Sequence, residues 1–212
     1  MTPPTSLLVL AKAPVPGRVK TRLTTRYTAD QAAWLAEAAL ADTLDVVTSI
    51  PDVVPILILD GTPGSWLPTA MRCEPQVQGA HDARIAAAFD LVRGEAAILI
   101  GMDTPQIAAD QLHEAVLRMK NGAVLGPARD GGWWALGLPC ADGALVRGVP
   151  TSTADTGRHQ HCRLEEAGLR VHLLPTLIDV DTPDDAADVA ALIPGSRFGA
   201  LWHSLNATES VA

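Results

Sequence analysis

Five cations crowd the start of this chain: Lys12, Arg18, Lys20, Arg22 and Arg26 fall within fifteen residues, and no Asp or Glu precedes Asp30. The chain holds only three lysines and carries a formal charge of −8, so the cluster runs against its average. Cations gathered at one end of an acidic protein point to a small anion. Gly17 lets the backbone come close to a ligand, while Lys12, Arg18, Lys20 and Arg22 offer charge and forked hydrogen bonds to phosphate oxygens. The segment is not a Walker A loop: Gly17 and Lys20 are not adjacent, and no G-x-G-x-x-G occurs in the chain. A solvated basic loop is the plainer alternative, and the scarcity of lysine elsewhere weighs toward phosphate.

Three acidic positions could answer those cations. Asp103, in G-M-D-T-P, suits Mg2+ or Mn2+, which take one or two protein carboxylates and leave their other positions to water and substrate phosphate. On spacing alone, Asp103 or Thr104 could equally cap a following helix with Pro105 as its first residue. In Asp179-Val180-Asp181 the two carboxylates would leave an extended strand on one face. A metal role for one of them stands beside the plain capping box of Thr182, Pro183 and Asp185. Asp130 lies in G-P-A-R-D-G-G-W-W (residues 126–134), where a hairpin turn accounts for the glycines. Alternation sends Trp133 and Trp134 to opposite faces, one to the core and one toward a pocket. His159, His161 and Cys162 lack a second pair at finger spacing, and no G-x-S-x-G marks a hydrolase elbow.

These residues need a frame. Apolar runs over 6–10, 53–59, 96–100 and 123–126 read as buried strands, with helical patterns over 29–47, 81–92 and 107–119 between them. Thr28 and Gln31 form a capping box at the first helix, and two prolines with Gly17 force a loop before it. Alternating strands and helices predict a mostly parallel sheet covered on both faces, which binds ligands at the carboxyl ends of its strands. Strands over 133–138 and 171–174, with one helix between, make the second half a mixed sheet. Phe198, Leu201, Trp202 and Leu205 recur at i, i+3, i+4 and i+7, so a short apolar-faced helix closes the chain against its own domain or a partner subunit. We therefore expect one domain over 1–193, a helical tail over 194–212, and a homodimer as one use of that tail.

Composition narrows the class. With 212 residues, 48% hydrophobic and 19% charged, the chain can bury one core and is neither disordered nor collagenous. The apolar runs are strand-length, too short to span a membrane, and the net charge argues against generic nucleic-acid binding through a basic surface. Cys73, Cys140 and Cys162 are odd in number and widely spaced, which argues against a disulfide framework. The first residues lack a basic stretch followed by an apolar core, and a cytoplasmic location is expected.

Four segments together resemble bacterial glycosyltransferase-A-like (GT-A) transferases of the radical-SAM/selenodomain-associated transferase 1 family, relatives of 2-phospholactate and molybdenum-cofactor guanylyltransferases. They are A-K-A-P-V-P-G-R-V-K-T-R-L (11–23), G-M-D-T-P (101–105), G-P-A-R-D-G-G-W-W (126–134) and D-V-D-T-P-D-D (179–185). The resemblance implies a Rossmann-like nucleotide-diphospho-sugar transferase fold, with a nucleotide on the first loop and Lys20 and its neighbours on its phosphates. It also implies a divalent ion at Asp103 and a second acidic element at Asp179 and Asp181. Where the family carries G-D-L-G-x-R-[LM], this chain reads G-A-H-D-A-R-I (79–85) and keeps Gly79 and Arg84; where it reads W-S-T, this chain has Thr151-Ser152-Thr153.

Nucleotidyl transfer from a nucleoside triphosphate to a small phosphorylated acceptor needs positioning and cations more than a protein nucleophile. Lys12, Arg18, Lys20, Arg22 and Arg84 would hold phosphates, and Asp103 with Asp179 or Asp181 would hold Mg2+ or Mn2+. Glycosyl transfer from a nucleotide-sugar would use the same residues, with an acceptor base near Asp130. A non-catalytic nucleotide- or partner-binding protein is the third reading.

Overall fold

The computed structural model describes residues 4–69 and 71–207. The chain opens with strand β1 (Thr5–Lys12), a 3-10 turn (Thr21–Thr25) and helix α1 (Ala29–Ser49). Strands β2 (Val53–Asp60) and β3 (Arg72–Pro75) lead to α2 (His81–Leu91) and β4 (Ala97–Gly101). Helix α3 (Ala109–Arg118) precedes β5 (Ala123–Pro127) and β6 (Trp133–Leu138). Then come α4 (Thr156–Glu166), β7 (Val171–Leu173), α5 (Pro183–Leu192) and α6 (Arg197–Ala207).

One seven-stranded sheet runs β3-β2-β1-β4-β6-β5-β7, and β6 alone is antiparallel to its neighbours. This is the mixed, mostly parallel sheet expected from the alternation of strands and helices. Strand alternation splits β1 between two cores. Leu7, Val9 and Ala11 pack in one cluster with Ala36 and Leu40 of α1 and Leu112 of α3. Leu8 and Leu10 share the other with Ile85 and Phe89 of α2 and Leu164 of α4. Both faces are therefore covered, and the run from Leu7 to Ala11 in β1 is continuously apolar for that reason.

Helix α1 is alanine-rich because it is buried on two sides. Beyond the sheet, Ala32, Leu35 and Ala39 meet Val189 of α5 and Phe198 of α6 in a third cluster. Asp42 of α1, 9% exposed, accepts hydrogen bonds from the backbone N–H groups of Arg197 and Phe198, and so caps the first turn of α6 from another element. The apolar-faced helix of the tail is thus seated on α1 and α5; residues 208–212 lie outside the described residues.

Two local departures have physical causes. Strand β3 escapes an apolar-run reading because it is a four-residue edge, R-C-E-P, whose charges and proline suit an edge strand. Pro55 is tolerated inside β2 because β3 pairs only with residues 56–59. Among the described residues no helix is long and apolar enough to cross a membrane.

Candidate active site

Strands β1 and β4 are parallel neighbours whose carboxyl ends align, Leu10 opposite Gly101. Whatever follows each strand must therefore share one crevice, at the point where the chain runs to β2 on one side and β4 on the other. After β1 the backbone turns through Gly17 at φ +74° and then through Lys20, left-handed at φ 48° without being glycine. That conformation precedes the 3-10 turn and aims Lys20 inward.

Lys20 Nζ lies 2.6 Å from Asp103 Oδ1 and 3.1 Å from Asp181 Oδ1, and its side chain is 7% exposed. Burial by itself lowers the Lys20 pKa, but the two carboxylates outweigh it and hold the ammonium above its ordinary value. Arg22 Nη1 adds a contact of 3.2 Å to Asp181 Oδ2. The acidic segment is pinned to the β4 end: the Val180 N–H donates to the Asp103 carbonyl at 2.8 Å, and Gln106 Nε2 to the Ile178 carbonyl at 2.7 Å.

Helix α3 begins at Ala109, with Gln111 reaching back to the Ala108 N–H, so neither Asp103 nor Thr104 caps it. Asp103 is thereby left to the crevice. The capping box at Thr182 does form, with Pro183 opening α5. Residues 179–181 are not a strand, because their ladder position is replaced by the bond to Asp103. Asp179 and Asp181 flank buried Val180, Asp179 lining the first of two adjoining clefts and Asp181 the second.

The first cleft, of about 820 Å³ open to solvent, is lined by Asp103, Asp130, Asp179 and Trp133, with His81 and Ser152 at its rim. The second, of about 1170 Å³, gathers Lys12, Arg18, Lys20, Arg22 and Arg84 with Asp181, and shares Asp103, His81, Ser152 and Leu10 with the first. The expected residues thus sort by charge into adjoining compartments. Gly17 is exposed and belongs to the lining of neither cleft. Asp179 is crowded: burial, then Asp103 and Asp130, push its carboxyl up to about 7.

Arg84 is fixed by Gln76, whose Nε2 donates to the carbonyls of Ala11 and Ile58 and ties β1 to β2. Neither Gln76 nor His81 stood out by type or spacing. His81 opens α2 at the wall between the clefts, and partial desolvation followed by Arg84 keeps its imidazole below the usual range. Trp134 is buried in one core and Trp133 packs against the other, on opposite faces as alternation requires, and both border the first cleft. The Asp130 turn closes tightly: Gly131, at φ +89°, receives the Gly157 N–H on its carbonyl, and a Cβ there would collide with the Ala154 carbonyl oxygen.

A family model described as "Uncharacterized protein conserved in bacteria (DUF2064)" matches residues 21–153. No curated protein matches the chain in sequence. Among solved structures, a "putative nucleotide-diphospho-sugar transferase" from Desulfovibrio desulfuricans G20 is 23% identical, covering 98% of this chain and 96% of its own, at a TM-score of 0.85. A CMP:2-keto-3-deoxy-manno-octonic acid synthetase complexed with CTP is 12% identical over 89% of this chain and 98% of its own, at a TM-score of 0.54. The manganese complex of Rv0371C from Mycobacterium tuberculosis H37Rv is 19% identical over 89% and 98%, at a TM-score of 0.50. These likenesses establish the nucleotide-diphospho-sugar transferase fold.

Proposed function

The chain belongs to the DUF2064 family and carries the nucleotide-diphospho-sugar transferase fold, and from that premise we propose that it is a metal-dependent nucleotidyltransferase. The observation that carries this reading is the cationic cleft at the end of β1, which meets an acidic cleft across the wall of Asp103. A nucleoside triphosphate places its phosphates against Lys12, Arg18, Arg22 and Arg84, whose charges offset those gathering on the phosphate oxygens. The second substrate enters from the acidic side. A phosphate oxygen of that acceptor attacks the α-phosphorus, the bond to the bridging oxygen breaks, and pyrophosphate leaves on the cationic side. Holding the two substrates in line supplies most of the acceleration.

The residues fit a divalent ion. Asp103 and Asp181 already converge on one cation, the Lys20 ammonium, and their donors are the hard oxygens that Mg2+ and Mn2+ prefer. Among the described residues no group of three or more His, Cys, Asp or Glu is arranged to hold a metal. Asp103, with Asp179 or Asp181, would hold it, and it would neutralise charge on the phosphates. A manganese complex of a structure with the same fold supports this reading.

Glycosyl transfer from a nucleotide-sugar is the second reading, favoured by Trp133 and the carboxylates of the acidic cleft, which suit a sugar ring. A thermal-shift panel of nucleoside triphosphates and nucleotide-sugars, with and without Mg2+ or Mn2+, separates the two. Metal-dependent stabilisation by one triphosphate is the expected result, with pyrophosphate release abolished in Asp103→Ala. Preference for a nucleotide-sugar selects the second reading, and silence across the panel defeats both.

A further inference from the structure

One strip of helix α1 borders a third cleft, which shares no lining residue with the two at the strand ends. Trp34, Glu37, Ala38, Ala41 and Asp45 recur at helical spacing along it, and its space of about 1010 Å³ is open to solvent. Trp66, from the segment between β2 and β3, lines it too, as do Arg197 and Leu201 of α6. Two of the chain's five tryptophans therefore meet at one cleft. Trp34 is 53% exposed, and among the described residues its indole has no hydrogen bond and no ring contact. Trp66 is fixed in advance: it packs against the core beneath α1, and a Cβ on Gly64 would come within 2.6 Å of its Nε1.

The charges of the cleft favour a cation. Arg197 is already paired with Asp42 and Asp45, whereas Glu37 has no partner among the described residues. A negative charge beside two indoles is the setting in which a cation is held over an aromatic face. A primary ammonium is strongly hydrated and needs several acceptors to replace its water, and Glu37 is the one unpaired carboxylate of the lining. A quaternary methylammonium donates no hydrogen bond and needs only aromatic surface with a negative charge nearby. A second copy of this chain would bring the same negative charge to the cleft, so it suits the site less well.

We propose that this cleft binds a small quaternary methylammonium compound, its cationic head against Trp34 and Trp66 with the Glu37 carboxylate beside it. The site rests on no reading of the chemistry at the strand ends. Calorimetric titration of the full chain, metal-free and at low salt, tests it with three probes. They are choline, its uncharged carbon isostere in which a tert-butyl group replaces the trimethylammonium, and ethanolamine. Choline should bind at least about fivefold more tightly than either of the others. Trp34→Ala should weaken choline about fivefold and Trp34→Phe less, both at an unchanged melting temperature because the indole is half in water. Glu37→Gln should weaken it about twofold and flatten its salt dependence. Asp103→Ala should leave choline affinity unchanged, which separates this cleft from the carboxylates beside Trp133. Equal binding of the uncharged isostere, tighter binding of ethanolamine, an unchanged affinity in Trp34→Ala, or no choline bound would overturn the proposal. So would a dimer in sedimentation that Trp34→Ala dissociates, since a second copy would then occupy the cleft.

Discussion

Lys20 holds a full charge under the surface, between carboxylates whose side chains are 41% and 37% exposed. Lys20→Met keeps the length and leaves Asp103 and Asp181 facing each other without a cation. We expect a loss of about 1–3 kcal/mol, below the usual cost of breaking a buried pair because both carboxylates are partly solvated. Urea denaturation in chelator measures it. Added Mn2+ should then raise the melting temperature of the variant more than that of the wild type, since one cation replaces another; equal responses would show that they do not share the position. Asp179 gives a pH test. With its carboxyl at about 7 in the fold and near 4 when unfolded, the native state binds more protons across that window. Its contribution is therefore present below about pH 4 and lost as pH rises through about 7. In metal-free urea melts, wild-type stability should fall relative to Asp179→Asn over that range, and parallel curves would show an undisplaced carboxyl. The sequence displayed the cations and carboxylates as types. It did not display that Lys20 pairs with Asp181, because that contact spans 161 residues and depends on a left-handed backbone at a lysine.

Elements decide which of two local readings a residue follows. Asp103 could cap or ligate on spacing alone; the late start of α3 removed the first option. Asp179 and Asp181 were read as leaving a strand; no strand forms there, and the bond from Val180 to the Asp103 carbonyl holds the segment against the end of β4 instead. The apolar strands and the capping boxes at Thr28 and Thr182 were legible because they depend on near neighbours. Edge strand β3 was not, since an edge needs no apolar run. Gly131 joins the Asp130 turn to the start of α4, so Gly131→Ala should push the segments apart and cost about 1–3 kcal/mol. Circular dichroism melts would read the loss, and an unchanged melting temperature would mean the turn yields without strain.

At the scale of the whole molecule the protein is a covered sheet with a further layer of α5 and α6 laid on α1. The sheet order brought together the residues that sequence had marked at separate strand ends, and the outer layer explains why α1 carries so much alanine. Truncation after Pro194 should strip Phe198 from the third cluster and remove the two backbone donors to Asp42, opening that carboxylate to water. We expect a loss of about 3–5 kcal/mol from the phenylalanine alone, read as Phe198→Ala by urea melting. A variant as stable as the wild type would mean the outer layer contributes nothing to the fold.

The ion pair at Lys20 also has a consequence in time. As the chain leaves the ribosome from its amino end, this lysine emerges long before either partner, meeting Asp103 only halfway through synthesis and Asp181 near its end. Until then its ammonium belongs in water, and the loop that buries it has no reason to close. The cationic cleft is therefore among the last features a nascent chain can complete, and a fragment halted before residue 181 would hold most of the sheet with its entrance still unlatched.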